Sequence, residues 1–269
     1  MTMTDLPHGL RIEHLDEPIG LLARTPRMSW RLPAGASLQL AYRIRSSNGW
    51  DTGWVSDRHH LLVPYAGPAL RSAQRVSWRV QVDTDLGRSD WSEHARFETG
   101  LLAAQDWTAA WIEPGQVPAG PAGQRPATLL RVDFEVARPV VAARQYATAH
   151  GVYEAFVNGQ RAGTAELAPG FTQYASRLQV AAIDVTDAVR PGVNALGVIL
   201  ADGWYRGQIG ITRSGDQWGT RTALLAQLHL VHDDGTTTVV GTGPDWRSST
   251  GHITAADLIA GEHVDFRRL

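Results

Sequence analysis

Residues 202–207 read Asp-Gly-Trp-Tyr-Arg-Gly, and their side chains could do one kind of chemistry together. Trp204 and Tyr205 offer flat apolar faces with a polar edge, while Asp202 and Arg206 offer charge-assisted hydrogen bonds. A sugar has apolar C–H faces and hydroxyls that need fixed partners, so this combination suits one. Asn158 and Tyr174 add an amide and a phenol to the same candidate carbohydrate-binding set. A structural use competes with it, in which Trp204 plugs the end of a β-sandwich and Arg206 pairs with Asp202 or Asp216.

The elements that must position these groups are strands. Leu196, Val198 and Leu200 alternate with Gly197 and Ile199, which predicts a strand over 194–200. Asp202-Gly203 then breaks it, because Gly accepts positive φ and Asp bonds back to nearby backbone. Upstream, 129–136, 142–157 and 178–185 read as strands, and Asn158-Gly159 predicts a tight hairpin turn. Thr186 or Asp187 is expected to cap one short helical turn, stopped by Pro191-Gly192. Downstream, 224–231 and 236–241 flank an Asp233-Asp234-Gly235 turn, and a looser portion begins at 244.

Residues 1–103 carry a separate pattern. Short strands are expected at 10–15, 28–32, 41–45, 50–55 (split at Thr52-Gly53), 76–82 and 95–99, with Pro and Gly between them and no helical period. About seven strands in such a length predict a fibronectin-III-like or immunoglobulin-like sandwich. Its Trp30, Trp54, Trp78 and Trp91 are assigned to core and sheet-edge packing. Residues 104–127, dense in Pro, Gly and Ala toward their end, read as a linker and surface loop. The expected fold class is therefore all-β, with two tandem β-sandwiches, the second, 128–269, jelly-roll in style.

Composition excludes several classes of function. All 25 basic residues are Arg, so a P-loop lysine, a Schiff-base lysine and a Ser-Lys dyad are excluded within the chain. With no Cys there is no thiolate nucleophile and no Cys-ligated zinc. A formal net charge of -2 gives no basic footprint for nucleic acid. No apolar run approaches the ~20 residues that cross a bilayer. The opening residues, with Asp5, Pro7 and His8, lack the basic start and apolar run of a secretory leader, so a cytoplasmic location is expected.

Other constellations have bland readings. His59-His60 are adjacent on an extended segment and point to opposite faces, as do His229 and His232. Asp233-Asp234-Gly235 lacks the spaced acids of a calcium loop and reads as a solvated hairpin tip. Ser214, His150 and Asp202 could compose a triad on paper, but no nucleophile-elbow sequence frames any Ser. No catalytic residue and no metal ligand is assigned.

Four motifs, in order, carry a resemblance: 151–159 (Gly-Val-Tyr-Glu-Ala-Phe-Val-Asn-Gly), 167–174 (Leu-Ala-Pro-Gly-Phe-Thr-Gln-Tyr), 184–186 (Asp-Val-Thr) and 202–207. With the Trp-containing segments at 30–32, 50–55 and 78–82, the chain resembles the N-terminal region of bacterial α-L-rhamnosidases, a fibronectin-like domain followed by a β-sandwich. It departs from the family pattern at Phe171 and Gln173, where Trp and Asp would stand, and in its Pro-rich run. The resemblance implies a larger enzyme. An α/α barrel beyond these residues would hydrolyse terminal α-L-rhamnosyl units, its two carboxylates roughly 6.5–9.5 Å apart as in an inverting hydrolase. This chain would then be the non-catalytic part, contributing recognition of an L-rhamnose-containing glycoside and scaffolding for the downstream catalytic domain. The resemblance also leaves room for a calcium ion, whose ligands are not assignable here; no other cofactor is implied. A purely structural pair of sandwiches, or a protein-binding adhesion-like module, are the alternatives.

Overall fold

The computed structural model describes residues 6–115 and 120–268. The first five residues of the stretch read for a leader lie outside it, as do 116–119 of the Pro-rich run and Leu269. Backbone contacts divide the chain into two units, Met1–Asp106 and Trp107–Leu269.

The first unit has strands β1 (His8–Ile12), β2 (Arg27–Arg31), β3 (Gln39–Ser46), β4 (Val63–Pro64), β5 (Arg75–Thr84), β6 (Gly87–Arg88) and β7 (Ala95–Glu98). One sheet runs β1-β2-β4; the other joins β3, β5 and β6, with β7 also paired to β5. Strand β5 shows why they pack as a sandwich. Its period of two buries Val76, Trp78, Val80 and Val82 against Trp30, Ile44 and Phe97, and turns Ser77, Arg79 and Gln81 outward. Trp30 and Trp78 are core residues. Trp91 lies under the guanidinium groups of Arg43, Arg45 and Arg79, and Trp54 under Arg88. The segment 50–55, expected to split at Thr52-Gly53, is reduced to single bridges on either side of that split. Gly53, at φ +60, interrupts the ladder and leaves only the bridges Arg45↔Asp51 and Tyr42↔Val55.

The second unit has a five-stranded antiparallel sheet in the order β11-β10-β13-β8-β16 and a four-stranded one, β12-β9-β14-β15. The strands are β8 (Thr128–Val136), β9 (Val140–His150), β10 (Val152–Val157), β11 (Gln160–Arg161), β12 (Ala181–Asp184), β13 (Gly192–Ala201), β14 (Ala223–His232), β15 (Thr237–Gly241) and β16 (Arg247–Thr250). A hairpin of β17 (Ile253–Asp257) and β18 (Gly261–Val264) follows. Successive long strands alternate between the two sheets, the jelly-roll style of connection, and Leu130, Leu200, Leu224 and Leu228 fill the space between them. The run 142–157 is two strands rather than one, broken at Gly151. The 178–185 strand is shortened to four residues, and the portion from 244, expected to be loose, holds β16 and the β17–β18 hairpin. The turn at 186–188 is a short 3-10 helix without a side-chain cap; Thr186 instead donates its hydroxyl to Asp184. Among the described residues the longest α-helix is the single turn Gly203–Arg206, and no helix is long and apolar enough to cross a membrane.

Candidate functional site

Strand β13 ends at Ala201, and the chain then makes the one α-helical turn of residues 203–206, closed by Gly207 N–H on the Gly203 carbonyl at 3.0 Å. Gly203 takes φ +52, and a Cβ there would lie 2.5 Å from the Val152 side chain, so only glycine lets the turn sit against β10. Helical spacing sorts the site residues. Positions four apart share a face, so Asp202 and Arg206 turn inward together, while Trp204 and Tyr205 keep part of their surface open.

The inward pair is buried, at 4% and 3% exposure. Arg125 joins it, itself 6% exposed. Its Nη1 donates to Asp202 Oδ2 at 3.1 Å and to Asp216 Oδ1 at 2.9 Å, its Nη2 to Asp216 Oδ2 at 2.8 Å, and its Nε to the Gly120 carbonyl at 2.8 Å. Arg206 Nε lies 3.3 Å from Asp202 and 3.5 Å from Asp216 without meeting hydrogen-bond geometry to either, so it acts as a neighbouring charge. Two guanidinium groups and two carboxylates therefore compensate one another in place. Asp202 and Arg206, expected to face a ligand, are instead buried in this ion network.

The two carboxylates shift in opposite directions because their burial differs. Burial pushes Asp202 above the usual carboxylate range, against the pull of Arg206 and Arg125. Asp216, partly exposed, is held below that range by its bond to Arg125. A depressed carboxylate adds stability above its unfolded value near 4 that disappears as pH falls through its lower folded value; Asp202 contributes with the opposite sign. We expect Asp216→Asn to lower stability at pH 7 and to shrink the loss on acidification below pH ~4. Urea unfolding of wild type and variant at pH 7 and pH 3 measures this; an unchanged acid loss in the variant would count against the assignment.

Above the network lies a connected set of rings. Tyr205 stacks on His150 (4.5 Å between centroids, 2° between planes), and Trp111 stacks on His150 (4.6 Å, 19°). Burial lowers the His150 pKa against the influence of Glu113, so the imidazole is a neutral ring in this stack at pH 7. Tyr174 meets Tyr205 edge to face at 5.1 Å, and Phe171 and Trp218 close around Tyr174 at 6.0 and 5.8 Å. Trp204 approaches Phe171 at 6.5 Å. Phe171 and Trp218 remain 54% and 41% exposed, so the set ends in an open ledge. The backbone at Trp218 is fixed by its main-chain N–H donating to the Tyr205 carbonyl at 3.2 Å, and Gly219 must lack a side chain because a Cβ would fall 2.3 Å from the Tyr205 hydroxyl.

Of the six expected contact residues, the structure brings Trp204, Tyr205 and Tyr174 together, with Tyr174 buried as a floor. Asn158 is elsewhere. It forms the β10–β11 turn with Gly159, at φ +53 and +81, and its amide bonds the Ala188 carbonyl, Asn194 Oδ1 and the Ala195 N–H. Strand β10 separates that turn from Gly203 by six residues, about 20 Å at ~3.3 Å per residue. Asn158 is thus a turn and packing residue, not part of the ledge. Sequence reasoning missed Arg125, Phe171 and Trp218 as site residues. The available signal for Arg125 was that it is the one charged residue between Glu113 and Arg131.

No group of three or more His, Asp or Glu suited to a metal ion occurs among the described residues. Asp234 serves its hairpin tip, bonding Thr236 and Arg138. The paper triad does not assemble either: His150 is held between rings, Asp202 faces arginines and the Ser214 hydroxyl meets Thr212.

Fold and site together define a tandem β-sandwich protein whose second sandwich carries an aromatic ledge braced by a buried ion network. Residues 7–103 match the Rha78A-like N-terminal immunoglobulin domain, and residues 138–269 match the α-L-rhamnosidase N-terminal domain; the chain belongs to the N-terminal region of the α-L-rhamnosidase family. It is 33% identical to an α-L-rhamnosidase of Alteromonas sp. (strain LOR), with 97% of this chain covering 30% of that protein. The crystal structure of the Streptomyces avermitilis α-L-rhamnosidase complexed with L-rhamnose superposes with a TM-score of 0.90 at 26% identity, over 97% of this chain and 43% of that one. The native Aspergillus terreus enzyme gives 0.90 at 31% identity, over 97% and 31%. The chain therefore spans less than half the length of these relatives.

Proposed function

We propose that these residues are the non-catalytic N-terminal part of an α-L-rhamnosidase and that the second unit holds a rhamnosyl sugar on its aromatic ledge. Hydrolysis belongs, on this reading, to the portion of the relatives that the chain does not span. The observation that carries it is the ledge itself: partly open Trp204 and Tyr205 on a turn locked from below by Arg125, with well-exposed Phe171 and Trp218 from neighbouring loops. Aromatic surface of this size left open on a sandwich end is costly without a partner, and apolar sugar faces fit it. The network beneath lets the rings keep their spacing without a ligand, which lowers the ordering cost of binding.

Titration of the chain with methyl α-L-rhamnoside, followed by the indole N–H resonances, tests the reading. A monosaccharide of this size is expected to bind with a Kd on the order of 1 mM. Trp204 and Trp218 should shift, and the tryptophans of the first unit should not. Unmoved resonances at sugar concentrations far above that value would remove recognition and leave the scaffolding role, in which the same ledge is covered by the rest of the enzyme.

A further inference from the structure

We propose that a second saccharide position lies in the cleft between Trp111 and Trp246, so that the second unit grips a glycan of at least two sugar residues. This rests on the reading of the ledge as a sugar site.

The cleft has a volume of 440 Å³, within the range of small-molecule sites. Its floor includes Leu130, its walls Trp111, Trp246 and Pro244, and its rim Glu113 and Ser248. The wall is rigid. Residues 110–112 are pinned by backbone bonds, with Ile112 exchanging two of 2.9 Å with Leu224 and Ala110 N–H donating to the Thr242 carbonyl at 2.9 Å. Trp246 is tied by Nε1 to the Gly241 carbonyl at 3.0 Å and packs on both halves of the core. Trp111 has one neighbour ring, His150, and stays 43% exposed. A Cβ at Gly243 would meet nothing within 4 Å, so the backbone there leaves room for a ligand.

The polar rim suits neutral hydroxyls. Glu113 pairs with Arg221 in an exposed ion pair, which leaves carboxylate lone pairs and guanidinium N–H groups free to accept from and donate to a diol while the pair keeps its charge balanced. The two positions are also joined. His150 stacks on Tyr205 of the ledge and on Trp111 of the cleft, so one set of near-parallel rings borders both.

The test compares methyl α-L-rhamnoside with a disaccharide bearing a terminal α-L-rhamnosyl unit, by isothermal titration of the whole chain. The disaccharide should bind at least about tenfold more tightly than the monosaccharide. Trp111→Ala should bring the disaccharide to within about twofold of the monosaccharide titrated on the same variant. Glu113→Gln, which keeps the fold's packing, should remove a smaller part of the same gain, and circular dichroism checks that both variants fold. A disaccharide no tighter than the monosaccharide, or a gain that survives both substitutions, would overturn the second position alone. Absence of binding by either sugar would instead overturn the ledge as a sugar site, and this inference with it.

Discussion

Arg125→Met will destabilise the second unit by roughly 3–5 kcal/mol, because it leaves Asp202 charged in a buried place with its directed partner gone. Asp202 receives one hydrogen bond from Arg125, and Arg206 approaches it at 3.3 Å without a hydrogen bond. Arg125 also ties the chain at the Gly120 carbonyl to the 206–216 segment, so its loss loosens the loop that carries Trp218. Adding Asp202→Asn should recover part of the loss, since the stranded charge is then removed; the two changes couple because they share one contact. Two units need not unfold together, so the readout must belong to the second one, such as hydrogen exchange of β13 amides with and without urea. A loss below about 1 kcal/mol would mean that water or a shifted Arg206 satisfies Asp202, and that the network does not brace the ledge.

Trp204→Ala is the complementary expectation. Trp204 is absent from the packed clusters of the core and only partly buried, and its one aromatic partner among the described residues is Phe171, edge on at 6.5 Å. Removing it should cost far less than the ~3–5 kcal/mol of a buried tryptophan. Sugar affinity should nonetheless fall at least tenfold, a loss of about 1.4 kcal/mol or more. Thermal unfolding and the rhamnoside titration, run on one preparation, separate the two quantities. A large stability loss would make Trp204 a packing residue; unchanged affinity would move the sugar off this ring. Tyr205→Ala would confuse the two, because its ring also orders His150 and Tyr174.

What could be read from the residues alone were features that depend on neighbours in sequence. The alternation of β5 and β13 marks strands, Asn158-Gly159 demands a turn that accepts positive φ, and four ordered motifs carry the family. These determined an all-β chain, a sandwich at each end and a family. The same local reading singled out Trp204 and Tyr205, which the structure leaves partly open, because a glycine-framed pair of rings after a strand has few uses. What only the tertiary structure decided were relations across distance. Which groups of 202–206 face inward follows from one turn of helix that no strand period anticipates. Arg125 reaches Asp202 across 77 positions, and His150 and Trp111 meet Tyr205 from separate strands and loops. Charge pairing and ring stacking act through space, so the packing of two sheets, not the order of residues, chose which polar groups became a brace and which aromatic surface stayed open.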